Sequence, residues 1–125
     1  MLNTGDTAPD FELEADDGQL IRLSDLKGQS IILYFYPKDD TPGCTIETND
    51  FNRLLKEFKK LDCEVFGISK DDIKSHKKFK TKYKINFDLL ADEEKKMIKS
   101  YKVWGKKKFM GREFMGIIRT TFLLD

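Results

Sequence analysis

Residues 31–44 read Ile31-Ile32-Leu33-Tyr34-Phe35-Tyr36-Pro37-Lys38-Asp39-Asp40-Thr41-Pro42-Gly43-Cys44. The first six are apolar or aromatic without a break, the pattern of a strand covered on both faces rather than one with a wet side. Pro37 has no N–H and closes that run. A polar loop with Pro and Gly follows and opens into a segment of helical periodicity, so Cys44 falls where a strand hands over to a helix. Unpaired backbone N–H groups and the positive end of the helix macrodipole favour thiolate over thiol at such a position. The stretch predicts a central parallel strand with a reactive sulfur at its end.

Downstream, Phe51, Leu54, Leu55, Phe58 and Leu61 recur at spacings of three and four. Asn52, Arg53, Lys56, Glu57, Lys59 and Lys60 fill the opposite side, which predicts one amphipathic helix. Residues 63–69 form the next strand, giving a strand-helix-strand unit with a right-handed crossover. Asp71-Asp72 cap a second helix running from Ile73 through Phe79 to Tyr83, with a polar face made almost wholly of lysine. Residues 85–91 are a short mixed segment. Acids early and bases late predict a third helix over 93–101, capped near Asp92. Residues 106–116, rich in Gly, Lys, Phe and Met, read as an irregular loop, and 117–124 as a closing strand.

Upstream, 5–10 is an extended arm and turn, and the alternating pieces 11–14 and 20–23 flank Asp16-Asp17-Gly18 as an N-terminal hairpin. Ser24 to Gly28 suits one helical turn or a tight loop. The order of elements is that of an open α/β sheet, a central mixed sheet flanked by helices with a β-hairpin extension. The sequence stops at Asp125 directly after a strand, so we expect it to be cut short at that end.

The 125 residues suffice for one domain, 1–125, and the chain's 39% hydrophobic content with ten Phe argues for a packed core under a heavily charged surface. A net charge of +1 leaves no global field toward nucleic acid or an anionic membrane. Two cysteines are too few for a disulfide framework and point to a reducing compartment. The start at Met1 lacks a basic, apolar signal segment, and no run reaches the length of a membrane span. We expect a soluble cytoplasmic protein.

Cys44 lies among Asp, Thr, Pro and Gly, where loop amides face solvent. Thr41, three residues earlier, can bring its hydroxyl close to the sulfur, to donate to a thiolate or to accept from a substrate O–H. Pro42-Gly43 can aim the N–H groups of Gly43 and Cys44 at one point, and Pro37 can shield the sulfur from bulk water. Cys63 begins a strand and reads as a buried structural thiol. His76, with no second histidine or acidic partner at ligand spacing, reads as a partly exposed helix residue. Trp104 reads as a packing anchor in a loop. A thiol-disulfide oxidoreductase is disfavoured because Cys44-Thr45-Ile46-Glu47 offers no C-x-x-C pair.

The motif Pro37-x-x-x-Thr41-x-x-Cys44 resembles the active-site signature of peroxiredoxins. The surrounding FYPKDDTPGCTIETNDF is similar to the peroxiredoxin Q, or bacterioferritin comigratory protein, subgroup. The likeness runs from GDTAPDFEL through EVFGISKDD and FDLLADEE to KKFMGREFMGIIRTTFLLD. It implies a single thioredoxin-like domain and a thiol peroxidase that needs no metal or organic cofactor. Cys44 would be the peroxidatic cysteine, Thr41 the hydroxyl that orients the peroxide, and Arg119, near the start of the closing strand, the guanidinium that stabilises the thiolate and the developing negative charge. Glu47 would brace Arg119. The substrates would be hydrogen peroxide and small organic hydroperoxides.

Many members of the subgroup place a resolving cysteine one helical turn after the peroxidatic one, and the corresponding residue here is Asn49. With Cys63 buried, we expect one-cysteine turnover. An external thiol, thioredoxin, glutaredoxin or glutathione, would reduce the sulfenic acid of a monomer or weak homodimer. A non-enzymatic redox sensor that passes oxidation from Cys44 to a partner protein is the alternative.

Overall fold

The computed structural model describes residues 3–26 and 28–124. Its elements in chain order are β1 (Glu12–Ala15), β2 (Leu20–Arg22), a 3-10 turn (Leu23–Leu26), β3 (Ser30–Phe35), α1 (Pro42–Arg53), α2 (Leu55–Lys60), β4 (Cys63–Ser69), α3 (Ile73–Tyr83), β5 (Asp88–Ala91), α4 (Lys96–Ser100), β6 (Trp104–Phe109), β7 (Arg112–Ile117) and β8 (Thr120–Leu124). Among the described residues, six strands pair in the order β2-β1-β5-β4-β3-β8, and β6 and β7 form a separate two-stranded ribbon. β3, β4 and β5 run parallel, while β8 and β1 pair antiparallel on either side of them, so the sheet is mixed as expected.

The uninterrupted apolar run of β3 divides by the two-residue period of a strand. Ile31, Leu33 and Phe35 join Phe66, Ile68, Leu90, Met97, Ile98, Tyr101 and Ile117 on one face. Ile32, Tyr34 and Tyr36 join Cys44, Leu55, Val65, Phe79, Phe87 and Leu89 on the other. Both faces are therefore closed, the first by α4 and the segment leading to β7, the second by α1, α2 and α3. Burying apolar side chains on both sides stabilises such a sheet by roughly 1.5–3 kcal/mol per large residue.

Gly67, opposite Tyr34 in the β3–β4 register, lets this second face close. A Cβ there would meet Leu89 Cδ2 and Tyr34 Cε1 at 3.0 Å and Tyr36 Cε1 at 3.2 Å. The two tyrosine rings stack with centroids 5.0 Å apart, and their hydroxyls point on toward the Cys44 end, to Thr48 and Asp39 respectively. Gly67→Ala is expected to destabilise the fold by about 1–3 kcal/mol, because the overpacked rings must leave their rotamers. A lower midpoint in thermal melting by circular dichroism, by several degrees, checks this.

Four readings of the sequence are corrected. The single amphipathic helix is two, α1 and α2, broken at Leu54, where the backbone adopts φ −92° and ψ 2°. Leu54 and Leu61 are exposed, and Leu55 is the leucine that packs inward. The third helix begins only at Lys96: Glu93 and Glu94 form a turn, Lys95 takes φ 62°, and the Asp92 carboxylate accepts from the Ile98 N–H at 2.8 Å. Residues 106–116 are not an irregular loop but most of the β6–β7 hairpin. Trp104 consequently opens a strand. It packs against the first core face with Lys70 and Lys95 ammonium groups 5.8 and 5.1 Å from its ring centre. Finally, the closing strand is split, because Ile118 and Arg119 link β7 to β8 as the chain crosses from the ribbon to the main sheet.

Candidate active site

The site is assembled where β3 ends. The Tyr36 N–H still donates to Ile68 (3.0 Å), but Pro37 has no donor to continue the ladder, and the chain leaves the sheet. Asp40 turns it with a left-handed φ of 58°. Thr41 is extended as the N-cap of α1, and Pro42 occupies the first helical position, where a missing N–H costs nothing. The helix ladder starts from the Thr45 N–H to the Thr41 carbonyl at 2.8 Å, so the N–H groups of Gly43 and Cys44 precede it.

Cys44 is fully buried, with 0% exposure, in the core between α1 and the sheet. Arg119 reaches its sulfur from the link between β7 and β8: Nη2 donates to Cys44 Sγ at 3.1 Å, and Nη1 donates to Glu47 Oε2 at 3.1 Å. Glu47 lies one turn beyond Cys44 on α1, so one guanidinium spans both positions. Arg119 remains 37% exposed at its side chain, which leaves one side of the sulfur facing a polar, solvent-connected group. Gly43 supports this approach, since a Cβ there would stand 3.2 Å from Nη2 and 3.4 Å from Nη1. The positive charge and the leading amides of α1 converge on one sulfur.

The Thr41 hydroxyl does not bond the sulfur. It donates to the Lys38 carbonyl at 3.0 Å, which commits its proton and leaves its oxygen lone pairs as acceptors. Pro37 is half-buried immediately beyond β3, and Asn49 is exposed on α1. Cys63 lies far from this cluster. It pairs with Ser30 at the opposite end of the β3–β4 register, whereas Phe35, next to the loop, pairs with Ile68. Those five residues amount to roughly 17 Å along the sheet. Burial, followed by the charges of Glu64 and Asp62, pushes the Cys63 thiol up from its ordinary value. Both cysteines are free and buried.

His76 is the residue that reading the sequence misjudged. It is fully buried, not partly exposed, and its ring is bonded to Asp39 at 2.7 Å and to the Leu90 carbonyl at 3.0 Å. Its acidic partner lies 37 residues away in the loop before Cys44, beyond the reach of helical spacing. Among the described residues, no group of three or more His, Cys, Asp or Glu side chains is arranged to hold a metal ion. No helix among them is long and apolar enough to cross a membrane.

Comparison with known proteins identifies the family and the fold. Residues 4–125 match the model of the AhpC/TSA family. Peroxiredoxin Bcp of Bacillus subtilis is 48% identical over 124 residues, covering 99% of this chain and 79% of that protein. Among solved structures, the PrxQ of Xylella fastidiosa superposes with a TM-score of 0.92 at 36% identity, over 99% of this chain and 79% of that one. The bacterioferritin comigratory protein of Xanthomonas campestris, described for its alkyl peroxide reduction activity, gives 0.86 at 38% identity over 91% and 73%. The chain belongs to the AhpC/TSA family and, within it, to the peroxiredoxins of the Bcp and PrxQ kind, which have a thioredoxin-like fold and are thiol-dependent peroxidases.

Proposed function

We propose that this chain reduces hydrogen peroxide and small organic hydroperoxides through Cys44, by a one-cysteine cycle. The carrying observation is the 3.1 Å bond from Arg119 to Cys44 Sγ at the start of α1. In the first step the Cys44 thiolate attacks the terminal oxygen in line with the O–O bond. An S–O bond forms as the O–O bond breaks, and the leaving oxygen takes a proton and departs as water or an alcohol, leaving sulfenic acid. Arg119 and the Gly43 and Cys44 amides supply donors to the charge spreading over the two oxygens.

Thr41 orients the substrate as an acceptor, because its own proton is already given to Lys38 and its oxygen can take the peroxide O–H. Gly43 keeps room for the guanidinium and Glu47 steadies it, while Pro37 limits the approach of bulk water. Full burial of the sulfur favours small peroxides over bulky ones.

Regeneration requires a second thiol from outside. Position 49 offers an amide, and Cys63 is buried at the far end of β4 with its thiol held protonated. An external thiol, thioredoxin, glutaredoxin or glutathione, condenses with the sulfenic acid, releasing water and leaving a mixed disulfide. A second thiol then frees Cys44. The reading extends to a reducing cytoplasm, consistent with two unpaired cysteines, and to residues 1–125 acting as one domain in a monomer or weak homodimer.

Mass analysis after one equivalent of peroxide, with a dimedone-type sulfenic acid trap, tests the cycle. A trapped adduct on Cys44 is the expected result. A Cys44–Cys63 disulfide in place of the adduct would overturn the one-cysteine route.

A further inference from the structure

Beneath the loop that carries Thr41 and Cys44 lies a buried polar cluster with no part in the chemistry above. Asp39 accepts from the Tyr36 hydroxyl on Oδ1 and from Ser75 Oγ (2.8 Å) on Oδ2, and its Oδ2 lies 2.7 Å from His76 Nδ1. The Asp39 N–H donates to Asp71 Oδ2 at 2.8 Å, an oxygen that also receives the Ser69 hydroxyl at 2.7 Å. The side chains of His76 and Asp39 are 0% and 4% exposed.

The proton count of this pair is fixed by its partners. The Leu90 carbonyl can only accept, so Nε2 carries a hydrogen. Nδ1 then carries a second hydrogen, shared with Asp39 Oδ2. Without it a ring lone pair would face a carboxylate at 2.7 Å, away from water.

The next residue is also fastened to α3. Asp40 adopts a left-handed φ that aspartate takes only at a cost, and its carboxylate accepts from Lys82 Nζ at 2.8 Å and from the Tyr83 hydroxyl at 2.6 Å. Four side chains of α3, Ser75, His76, Lys82 and Tyr83, thus grip two consecutive loop residues. Thr41 follows directly, and α1 starts from it.

We infer that His76 is a positioning residue, whose proton shared with Asp39 latches the Cys44 loop to α3 and holds Thr41 and Cys44 in the geometry that attacks peroxide. The inference rests on the reading of Cys44 as the nucleophile. Burial alone would lower the histidine pKa, but the bond to Asp39, its charge, the Leu90 carbonyl and the charge of Asp71 together raise it above the ordinary 6.5. The titratable groups facing the pair are Asp39 and Tyr36 from the β3 end and Asp71 from the β4–α3 link. β5 contributes the Leu90 carbonyl, and Lys80, one turn along α3, is engaged with Asp16 and Asp88. A raised folded-state pKa means that the latch is complete below the ordinary value and is lost as pH rises through the raised one.

The experiment follows single-turnover oxidation of reduced Cys44 by hydrogen peroxide across pH, in wild type, His76→Phe and His76→Asn, with iodoacetamide alkylation of Cys44 in parallel. His76→Phe is expected to slow the peroxide reaction by about ten- to a hundredfold while alkylation, which needs no peroxide alignment, changes less than about threefold. His76→Asn places an amide donor near Nδ1 whose proton does not titrate. It should keep most of the rate and lose the alkaline fall that the wild type shows. A folded His76→Phe protein reacting at the wild-type rate, or an unchanged alkaline fall in His76→Asn, overturns the latch. Should wild-type Cys44 not react with peroxide at all, the peroxidase reading fails. The latch is then read from hydrogen exchange at the amides of residues 39–44, where faster exchange in His76→Phe supports it and unchanged protection overturns it.

Discussion

Cys44→Ser is expected to abolish peroxide consumption, to the level of buffer alone, while Cys63→Ser retains the first oxidation at the wild-type rate. The sulfur of Cys44 is the atom that Arg119 contacts at the start of α1. A serine hydroxyl at the same place keeps the polarity and nearly the volume but remains protonated at any accessible pH, and an alcohol attacks an O–O bond far more slowly than a thiolate. The fold should survive, since the substitution changes one atom and the new hydroxyl can accept from Arg119 Nη2 in place of the sulfur. Cys63 is the internal control. It is 6% exposed, its thiol is pushed up by burial and by two nearby carboxylates, and its sulfur makes only a weak 3.9 Å contact to the Glu64 carbonyl. Bridging it to Cys44 would need Cα atoms within about 7 Å, against a separation set by most of the length of β4. Peroxide consumption coupled to a thioredoxin system measures both variants, and equal loss from both would sink the division of roles.

What the sequence disclosed follows physical range. The run from Ile31 to Tyr36 announces a doubly covered strand because every position is apolar, and the structure divides it between two core faces. The strand-to-helix handover at Cys44 was legible for the same local reason, Pro42 at the first helical position and no second apolar strand in between. The β6–β7 ribbon was not legible. Lys106, Lys107 and Lys108 are poor strand formers in isolation, and the tight turn uses Met110 at φ 51° before Gly111 at φ 78°, where Asn-Gly would have signalled a hairpin. Periodicity also overreached in 51–61: it counts Leu54 as inward-facing, but a helix break there turns both Leu54 and Leu61 to solvent.

The candidate site divides along the same line. Thr41, Gly43 and Cys44 are neighbours in sequence and announce themselves as a motif. The contacts that make the motif specific come from far away, Arg119 from 75 residues beyond Cys44 and His76 from 37 beyond Asp39. Arg119 was reached only through family resemblance, since an arginine beside a strand is usually a surface residue. His76 was missed because nothing in α3 itself marks it: it stands among lysines, and its burial is decided by Asp39 and by the Leu90 carbonyl of β5. Such pairings become visible only when the topology brings three elements together.

Arg119→Met should cost about a hundred- to a thousandfold in the rate of Cys44 oxidation, the range for removing one aimed donor from a developing negative charge, or about 2.7–4 kcal/mol of barrier. Methionine keeps much of the apolar stem, so packing against Gly43 survives while both hydrogen bonds go. Arg119→Lys should recover little. The guanidinium donates from two nitrogens at once, Nη1 to Glu47 and Nη2 to Cys44, both at 3.1 Å, and a single ammonium cannot hold that fork between positions one turn apart on α1. Glu47→Gln should be much milder, within about tenfold: the amide oxygen still accepts from Nη1, and a partly exposed ion pair contributes only about 0–1 kcal/mol. This ordering, Met and Lys both severe with Gln mild, distinguishes a donor aimed at the reacting atoms from a charge acting at a distance, for which Lys would serve nearly as well as Arg. Rate constants from single-turnover oxidation at several peroxide concentrations measure it. An Arg119→Lys protein within threefold of wild type would show that the fork is dispensable and that positive charge alone is what the sulfur needs.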